Sequence, residues 1–394
     1  MKKVAFLLNY NPKSWLGGTN LIENFIECIR KFSKNKIQPV LIVRKSQNLN
    51  DLKGFKNVNI IKTDIFDKGV LQRIFYKIEI LIFGKSKQID NFFIKNKIYL
   101  ISHSNALAYN FFTGKKSKIR CLSWIADFQY LHYPEFFNFK TRILRNFNIF
   151  LCSLHSQKIL LSSYDAQKDL KSLSKKAHSK SAVSQFYFKS PKKNELFSLN
   201  FLKKKFHTGD KFFYLPNQYW SHKNHIVVLK ALKYLKDKKN NNLQVISTGN
   251  KNDHRNSLYF DEINLYIKKN NLDLNYKYIG LVSYPEVLSL MYHSVALINP
   301  SKFEGRHSSL EQARSLGKQS ILSNINIHKE QAVPHSYYFS LKNFVQLSKL
   351  MDKLWKSYSP KKNLNNFKKA SKENDLNLKK YYLNWKKVVD KTIS

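Results

Sequence analysis

Short apolar runs alternate with amphipathic stretches along the first half of the chain. Leu21, Phe25 and Ile29 recur every four residues, which predicts one side of a helix after the glycine pair Gly17-Gly18. A second helix is predicted to begin near Ser163 and Asp165. The apolar runs that predict buried strands are 4–8, 40–43, 98–101, 121–125 and 158–161. This alternation is typical of a parallel α/β sheet.

A polar, lysine-rich stretch at 189–206 interrupts the alternation, and a second series follows it. Its predicted strands are 212–215, 243–247, 276–279, 295–298 and 320–322, and its predicted helices are 225–235, 258–267, 285–291 and 309–316. We therefore predict two α/β domains of similar size, 1–195 and 196–365, joined near residue 200.

The C-terminal segment 366–394 is predicted to be a helix. Leu378, Tyr382, Trp385 and Val389 follow one another at spacings of 4, 3 and 4 residues and so share one helical face. Such a stripe packs on a domain, and the N-terminal domain is one surface open to it.

Composition limits the class of protein. The 394 residues include 69 Lys and Arg against 26 Asp and Glu, a formal net charge of +43, and 43% are hydrophobic, which excludes a wholly disordered chain. Sixty of the basic residues are Lys and they are spread from end to end, whereas specific nucleic-acid readers favour Arg. This pattern favours a lysine-rich solvated surface and no specific nucleic-acid partner. Selection for an anionic partner, such as a membrane surface, stays open as the alternative.

The sequence also bears on location. No run reaches the roughly 18 apolar residues of a membrane helix, and the apolar stretch after Met1 is too short for a signal peptide. Cys28, Cys121 and Cys152 show no metal-binding spacing, and a reducing compartment is the simpler interpretation. We expect a cytoplasmic protein, which its positive charge could attract to the inner face of a membrane.

Candidate chemistry follows two strands of the second series, since ligands of open α/β sheets gather at the carboxyl ends of strands. After 295–298 come Glu304, Gly305 and a helix N-terminus near Ser308 and Ser309, which could seat a phosphate. An ordinary strand-to-helix connection with a solvated glutamate is the alternative. After 212–215 comes Lys223, at the start of the next helix. Both segments should face one cleft.

Several motifs, taken in order, resemble the family-four retaining glycosyltransferases. The donor-site signature of that family resembles Pro300-Ser301-x-Phe303-Glu304-Gly305 with Leu316-Gly317-Lys318 and Ser323-Asn324 downstream. Two further segments, 217–225 and 124–135, are similar to its diphosphate-binding stretch and to a loop of a bacterial subgroup, and Gly17-Gly18 matches its first glycine pair. The resemblance spans roughly residues 1–335. It implies the GT-B architecture, in which two Rossmann-like domains face each other across a cleft, with the acceptor side N-terminal and the nucleotide-sugar donor side C-terminal.

The resemblance also implies roles for single residues. Glu304 matches the glutamate that touches the transferred sugar, and Lys223 matches the lysine that contacts the diphosphate. The second family glutamate, on the ribose, falls at Gln312, with Glu311 about 100° away around the helix. The family arginine five residues before the lysine is replaced by Gln218. A glutamine can bond a hydroxyl but carries no charge.

The remaining candidates complete the predicted site. Gly305, Arg306 and Ser308 are expected on the donor side, although a solvated surface position is equally open for Arg306. Asp127 and His132 are candidates to orient the sugar or the acceptor, with a packed structural histidine as the alternative. Fixed positive charge is expected to stabilise the leaving diphosphate without a metal or other cofactor.

The sequence thus predicts a retaining glycosyltransferase that moves a hexose from a nucleotide-diphosphate sugar to a surface glycan or lipid-linked saccharide. The alternative is a non-catalytic nucleotide-sugar or glycan-binding protein of the same fold, which the glutamines at 218 and 312 favour. A charge-driven nucleic-acid binder is a third hypothesis, which predicts steeply salt-dependent affinity.

Overall fold

The computed structural model of the chain describes residues 2–12, 16–67, 69–105, 113–239, 243–253 and 255–393. It divides into two compact units. The first holds the residues up to Phe186 and those from Leu376 onward, and the second is Tyr187–Asp375.

The first unit is built on a parallel sheet with the strand order β3-β2-β1-β4-β5-β6-β7. The chain moves outward from β1 to β3, crosses back to β4 beside β1, and then moves outward in the opposite direction. This reversal beside the first strand defines a Rossmann-like sheet. The strands are β1 Lys2–Leu8, β2 Ile37–Arg44, β3 Asn59–Thr63, β4 Ile98–Asn105, β5 Arg120–Ile125, β6 Lys158–Leu161 and β7 Ser181–Val183.

Helices cover both faces of this sheet. They are α1 Leu16–Phe32, α2 Val70–Phe83, α3 Lys87–Lys95, α4 Gln129–His132, α5 Phe139–His155, α6 Tyr164–Leu173 and α7 Lys175–Ser179. Phe6 of β1 meets Phe25 of α1 at 5.9 Å between ring centroids. Its strand neighbour Ala5 instead joins a core cluster with Ile80 of α2 and Ile149 of α5. Because successive side chains of a strand point to opposite faces, α1 covers one face and α2 and α5 the other.

The second unit repeats the plan in the order β10-β9-β8-β11-β12-β13, again with parallel neighbours. Its strands are β8 Phe213–Pro216, β9 Val245–Thr248, β10 Tyr276–Tyr278, β11 Leu297–Asn299, β12 Ser320–Ser323 and β13 Ser336–Phe339. Its helices are α8 Leu199–Phe206, α9 His225–Lys239, α10 Tyr259–Lys269, α11 Tyr284–His293, α12 Ser308–Ser315, α13 Asn326–Gln331 and α14 Phe344–Ser357. The predicted α/β class with two Rossmann-like domains is confirmed.

The last helix, α15 Pro360–Ile393, begins in the second unit and ends in the first. The four residues of its predicted stripe are all buried. Trp385 donates its indole N–H to Ser102 Oγ of β4 at 2.9 Å and meets Phe25 edge-on at 5.2 Å.

Both predicted domain boundaries, after residues 195 and 365, fall inside the second unit. The segment before 196 is already bound to that unit, since Ser190 Oγ donates to the carbonyl of Ser315 at 2.6 Å. Just beyond it, the Phe197 amide donates to Ser289 Oγ at 2.9 Å. The polar stretch 189–206 also contains α8. Its Leu202 is fully buried, although three lysines follow it in the sequence. The glycine pair lies inside α1, rather than in a loop before it.

Candidate functional site

The carboxyl ends of β8 and β11 form the point at which the second sheet changes direction. These strands are neighbours, and β8 leads through α9 to β9 on one side while β11 leads through α12 to β12 on the other. Connections that leave in opposite directions open a crevice above the sheet, which is where such folds bind ligands. The segments 217–224 and 300–307 border it.

Lys223 and Glu304 meet at this crevice. Lys223 Nζ donates to Glu304 Oε1 at 2.6 Å, and each side chain is 10% exposed. Two bonds join the loops that carry them: the Lys302 amide donates to the carbonyl of His222 at 2.8 Å, and Asn224 Nδ2 to that of Pro300 at 3.1 Å. Asn224 is left-handed, with φ of 57°, a conformation that asparagine tolerates better than most residues. The two predicted residues are therefore brought together by backbone that is itself fixed.

His307 extends this pair into a network. Its Nε2 lies 3.3 Å from Glu304 Oε1 and 3.1 Å from Asn217 Oδ1. Asn217 Nδ2 in turn donates to Asn299 Oδ1 at 3.3 Å, which also accepts from Ser301 Oγ at 2.7 Å. Glu304 is thus bonded to a cation on one side and contacted by a ring nitrogen on the other. Such support limits the carboxylate to one position.

The histidines around the pair are neutral near pH 7. Burial, with the charge of Lys223, holds the pKa of His307 well below its usual range. Burial and the same lysine lower the pKa of His222 likewise, and burial lowers that of His225 to about 3 and that of His328 to about 4. Lys223, rather than these histidines, is therefore positioned to present a positive charge to an anion in the crevice.

The N-terminus of α12 also faces this loop. Its N-cap residue is His307, whose side chain makes no capping hydrogen bond. The first amides of a helix carry partial positive charge, so Ser308 and the residues after it can receive a phosphate oxygen.

Arg306 and Glu311 belong to a buried cluster. Arg306 Nη2 donates to Glu311 Oε1 at 2.7 Å, Arg314 Nε to Glu311 Oε2 at 2.9 Å, and Gln331 Nε2 to Glu311 Oε1 at 2.9 Å. The side chains of Arg306 and Glu311 are 1% and 0% exposed. Arg306 is therefore buried, and the solvated surface position that the sequence left open for it is wrong. The carboxylate of Glu311 is fully engaged by its three donors.

The other predicted donor-side residues lie on the same segments. Gln312 is buried on α12, next to Glu311. Gln218 is half-buried after β8, and its carbonyl accepts from the Trp220 amide at 2.8 Å. Gly305 lies between Glu304 and Arg306 in the loop. Their roles toward a nucleotide stay predictions.

The candidates of the first unit lie elsewhere. His132, half-exposed at the end of α4, has its Nε2 3.0 Å from both carboxylate oxygens of Asp169 on α6. Asp127 accepts from the Gln129 amide at 3.1 Å and so fixes the turn that begins α4. Among the described residues, none approaches the position that a Cβ on Gly17 would take. The pairing with Asp169 holds the imidazole in one orientation, and the roles of these residues stay predictions.

Two residues of the network escaped the sequence analysis. Asn217 directly follows β8 and stands in the segment 217–225 without a role, and His307, the residue before α12, was given no role either. The available signal was that both are polar and lie in the segments that follow β8 and β11. Within the described parts of the chain, no three His, Cys, Asp or Glu residues are grouped so that they could hold a metal ion.

A protein-family model decides the identity of the second unit. The model of the family "Glycosyl transferases group 1" matches residues 198–374, which include both loops of the crevice and the whole of its sheet. Residues 198–374 form a domain of this family.

Solved structures extend the likeness to the whole length of the chain. A glycosyltransferase from Rickettsia africae is similar with a TM-score of 0.67 and 14% identity, over 98% of each chain. Anabaena HepE in complex with UDP-glucose is similar with a TM-score of 0.68 and 12% identity, over 97% of this chain and 98% of that one. The lipopolysaccharide outer core galactosyltransferase WaaB is similar with a TM-score of 0.61 and 12% identity, over 99% of both. At these identities the likeness shows the shared two-domain fold. No curated protein matches the chain.

The helices of the chain also bear on whether it crosses a membrane. Over the residues that the structure describes, none is sufficiently long and apolar to cross a bilayer.

Proposed function

We propose that the chain is a retaining glycosyltransferase that moves a hexose from a nucleotide-diphosphate sugar to a surface-glycan or lipid-linked saccharide acceptor. The observation that carries the proposal is the meeting of Lys223 with Glu304, at 2.6 Å, at the switch point of a group 1 glycosyltransferase domain. A cation for the diphosphate and a carboxylate for the sugar are the two groups that such a donor requires at one place.

The geometry suggests how the donor would be held. A diphosphate entering the crevice would give Lys223 a second anionic partner beside Glu304, and the N-terminus of α12 would receive further phosphate oxygens. As the bond between the sugar and the diphosphate breaks, negative charge grows on the leaving diphosphate. Lys223 and the helix N-terminus stabilise that charge without having to move. Glu304, fixed by Lys223 and His307, would position the hydroxyls of the sugar.

The donor and acceptor classes are proposed with support from the similar structures. HepE is solved in complex with UDP-glucose, and WaaB is described as a lipopolysaccharide outer core galactosyltransferase. A uridine diphosphate hexose is therefore the first donor to test. Asp127 and His132 of the first unit would orient the sugar or the acceptor. We propose that the reaction requires no metal or other cofactor and takes place in the cytoplasm.

The test replaces each member of the pair and measures binding and transfer separately. Lys223→Met should weaken UDP binding about tenfold, since one charge-assisted contact is lost. Glu304→Gln should leave UDP binding within about threefold and lower sugar transfer or donor hydrolysis by about a hundredfold, because the carboxylate would act on the sugar. Calorimetry with UDP, and donor turnover with UDP-, GDP-, ADP- and dTDP-sugars, provide the readouts.

Exposed residues of the same domain supply the controls. Lys230→Met on α9 and Glu262→Gln on α10 change the same charges outside the crevice and should behave as wild type. Full turnover by both site variants would refute the assignment.

A non-catalytic nucleotide-sugar or glycan-binding protein is the second candidate. The buried cluster favours it, because Glu311 is fully engaged by Arg306, Arg314 and Gln331 and cannot replace the glutamate missing at Gln312. Thermal stabilisation by a nucleotide sugar without any hydrolysis or transfer would select this candidate. Turnover that Glu304→Gln abolishes would exclude it.

A further inference from the structure

The outer side of α2 is apolar. Leu71, Phe75, Ile78 and Ile82 are 83%, 59%, 46% and 67% exposed. Their spacing of three or four residues places them on one side of the helix. The opposite side of α2 buries Tyr76 and Ile80 in the core. The helix is thus apolar on its inner and outer sides, which core packing alone does not require.

The helix α5 has the same character. Phe139, Ile143, Phe147 and Phe150 are 74%, 50%, 45% and 54% exposed and recur every three or four residues. The inner residues of α5 join the core cluster that holds Tyr76 and Ile80 of α2. Both helices therefore cover the same face of the first sheet and turn aromatic and aliphatic side chains away from it. We call the outer sides of these two helices, as given by the residues above, the α2/α5 face.

Exposed apolar surface on this scale marks an interaction site. Single exposed apolar residues are common, but soluble domains rarely gather aromatic and branched side chains on two helices of one face. Helices with Phe, Leu and Ile on one side and basic residues beside them are typical of segments that lie in the interface of a bilayer.

The charge beside the face selects its partner. The helix α5 carries the exposed Lys140 and Arg142 and contains neither Asp nor Glu. Just after α2 stand Lys85 and Lys87, both exposed. A second copy of a chain with net charge +43 would bring like charges together around the contact, which opposes self-association. A surface of anionic lipid offers the opposite charge.

We propose that the α2/α5 face docks on an anionic lipid bilayer, with its aromatic and aliphatic side chains at the boundary of headgroups and acyl chains and its lysines and arginines among the phosphates. Docking would bring the chain to a lipid-linked acceptor and so extends the proposed function. The evidence for it, however, is independent of sugar transfer.

Vesicle binding by the full chain tests the proposal. The probes are vesicles of phosphatidylcholine alone and of phosphatidylcholine mixed with phosphatidylglycerol, at about 0.15 M salt. The wild type should bind the mixed vesicles. Phe75→Ser/Ile82→Ser and Phe147→Ser/Phe150→Ser should each weaken this binding by on the order of tenfold. Leu265→Ser/Leu274→Ser removes two exposed leucines of the second unit, 68% and 88% exposed, and should bind as wild type.

A second readout separates insertion from attraction by charge. The native cysteines are buried, so an environment-sensitive dye can be placed on Phe147→Cys or, as a control, on Leu274→Cys. The dye at 147 should shift to shorter emission wavelength on mixed vesicles, and the dye at 274 should not.

Two outcomes would overturn the proposal. Equal vesicle binding by the wild type and both serine variants, without a dye shift at 147, would mean that charge alone attracts the chain. A wild-type dimer that the serine variants dissociate, with no vesicle binding, would make the face an interface between copies. Circular dichroism and thermal unfolding of every variant report whether the fold is intact. If the wild type shows no donor turnover, the proposed function is contradicted. Vesicle binding is measured separately and would stand or fall by itself.

Discussion

At the scale of single residues, the pairing of Lys223 with Glu304 follows from local rules. Each stands a few residues after a strand that the apolar pattern predicts, and the two strands are neighbours beside the reversal of the sheet. Because carboxyl ends of parallel strands meet at one edge, the position of the two residues in the sequence is sufficient to predict that both face one cleft. The 2.6 Å contact depends on finer features, such as the left-handed Asn224 and the bond from Lys302 to His222.

A buried histidine beside this pair provides a residue-scale prediction. His225 stacks on Tyr219 at 4.2 Å, and burial lowers its pKa to about 3. Between that value and the unfolded pKa of about 6.5, the unfolded chain binds a proton that the folded chain does not. Stability from this residue is therefore present above about pH 6.5 and is lost as the pH falls, by about 1.4 kcal/mol per pH unit.

The measurement is urea unfolding of the second unit between about pH 6.5 and 4.5, within that window. His225→Phe keeps an aromatic ring on Tyr219. It should reduce the pH slope of the unfolding free energy by the contribution of one proton, about 1.4 kcal/mol per pH unit. Leu265→Phe, at an exposed position of the second unit, removes no titratable group; it is the control and should leave the slope unchanged. Parallel slopes for wild type and His225→Phe would show that this histidine is protonated in the folded chain as readily as in the unfolded one.

At the scale of elements, α12 illustrates what a motif predicts and what it cannot. The helix appears close to its predicted span, at Ser308–Ser315. The resemblance assigned functional positions to its residues by order in a motif, without reference to packing. In the structure Glu311 faces two guanidinium groups, one from Arg306 before the helix and one from its own last turn. A partner such as Gln331, twenty residues away on α13, has no local signal in the sequence.

The buried cluster of α12 gives the element-scale prediction. Glu311→Gln replaces the negative carboxylate of Glu311 by a neutral amide, so that the guanidinium groups of Arg306 and Arg314 lose their anionic partner. Breaking a buried ion pair on one side typically lowers stability by about 3–5 kcal/mol. We expect a loss in this range for the second unit, measured by chemical denaturation. Glu262→Gln on the exposed side of α10 should change stability by less than about 0.5 kcal/mol. A similarly small effect for Glu311→Gln would mean that the cluster is solvated.

The elements that the sequence analysis missed have physical reasons in common. The strands β3, β7 and β13 are only partly buried and lie at or next to sheet edges, so they lack a continuous apolar run. In α2 and α5 the outer apolar residues obscure the helical period, because apolar side chains stand on both sides of the helix. In α8 the three lysines of the last turn conceal the fully buried Leu202. Central strands, by contrast, were predicted because they are buried on both faces.

At the scale of the whole molecule, the chain forms two units that are not two continuous segments. The first unit is completed by the C-terminal residues of the chain, because Leu376 and the residues after it belong to that unit. The stripe at 378, 382, 385 and 389 predicted a packed helix, but the period of a stripe does not name the surface it covers. Aromatic contacts decide that surface in the structure: Tyr381 meets Phe25 at 4.4 Å, and Trp385 meets the same ring at 5.2 Å.

This arrangement predicts that a substitution near the C-terminus destabilises the elements formed by the first half of the chain. Trp385 is fully buried against Phe25 and donates to Ser102, so Trp385→Ala should lower the stability of the first unit by about 3–5 kcal/mol through a cavity and a lost hydrogen bond. Hydrogen exchange followed by mass spectrometry can locate the effect. Exchange should rise in β1, β4 and α1 and stay at the wild-type level in β8 and β11, with UDP affinity unchanged. Leu376→Ala, at an exposed position of the same segment, should leave both units as they are. Faster exchange spread evenly over both sheets would show that the two units unfold as one. That result would contradict the prediction that the last helix stabilises only the first unit.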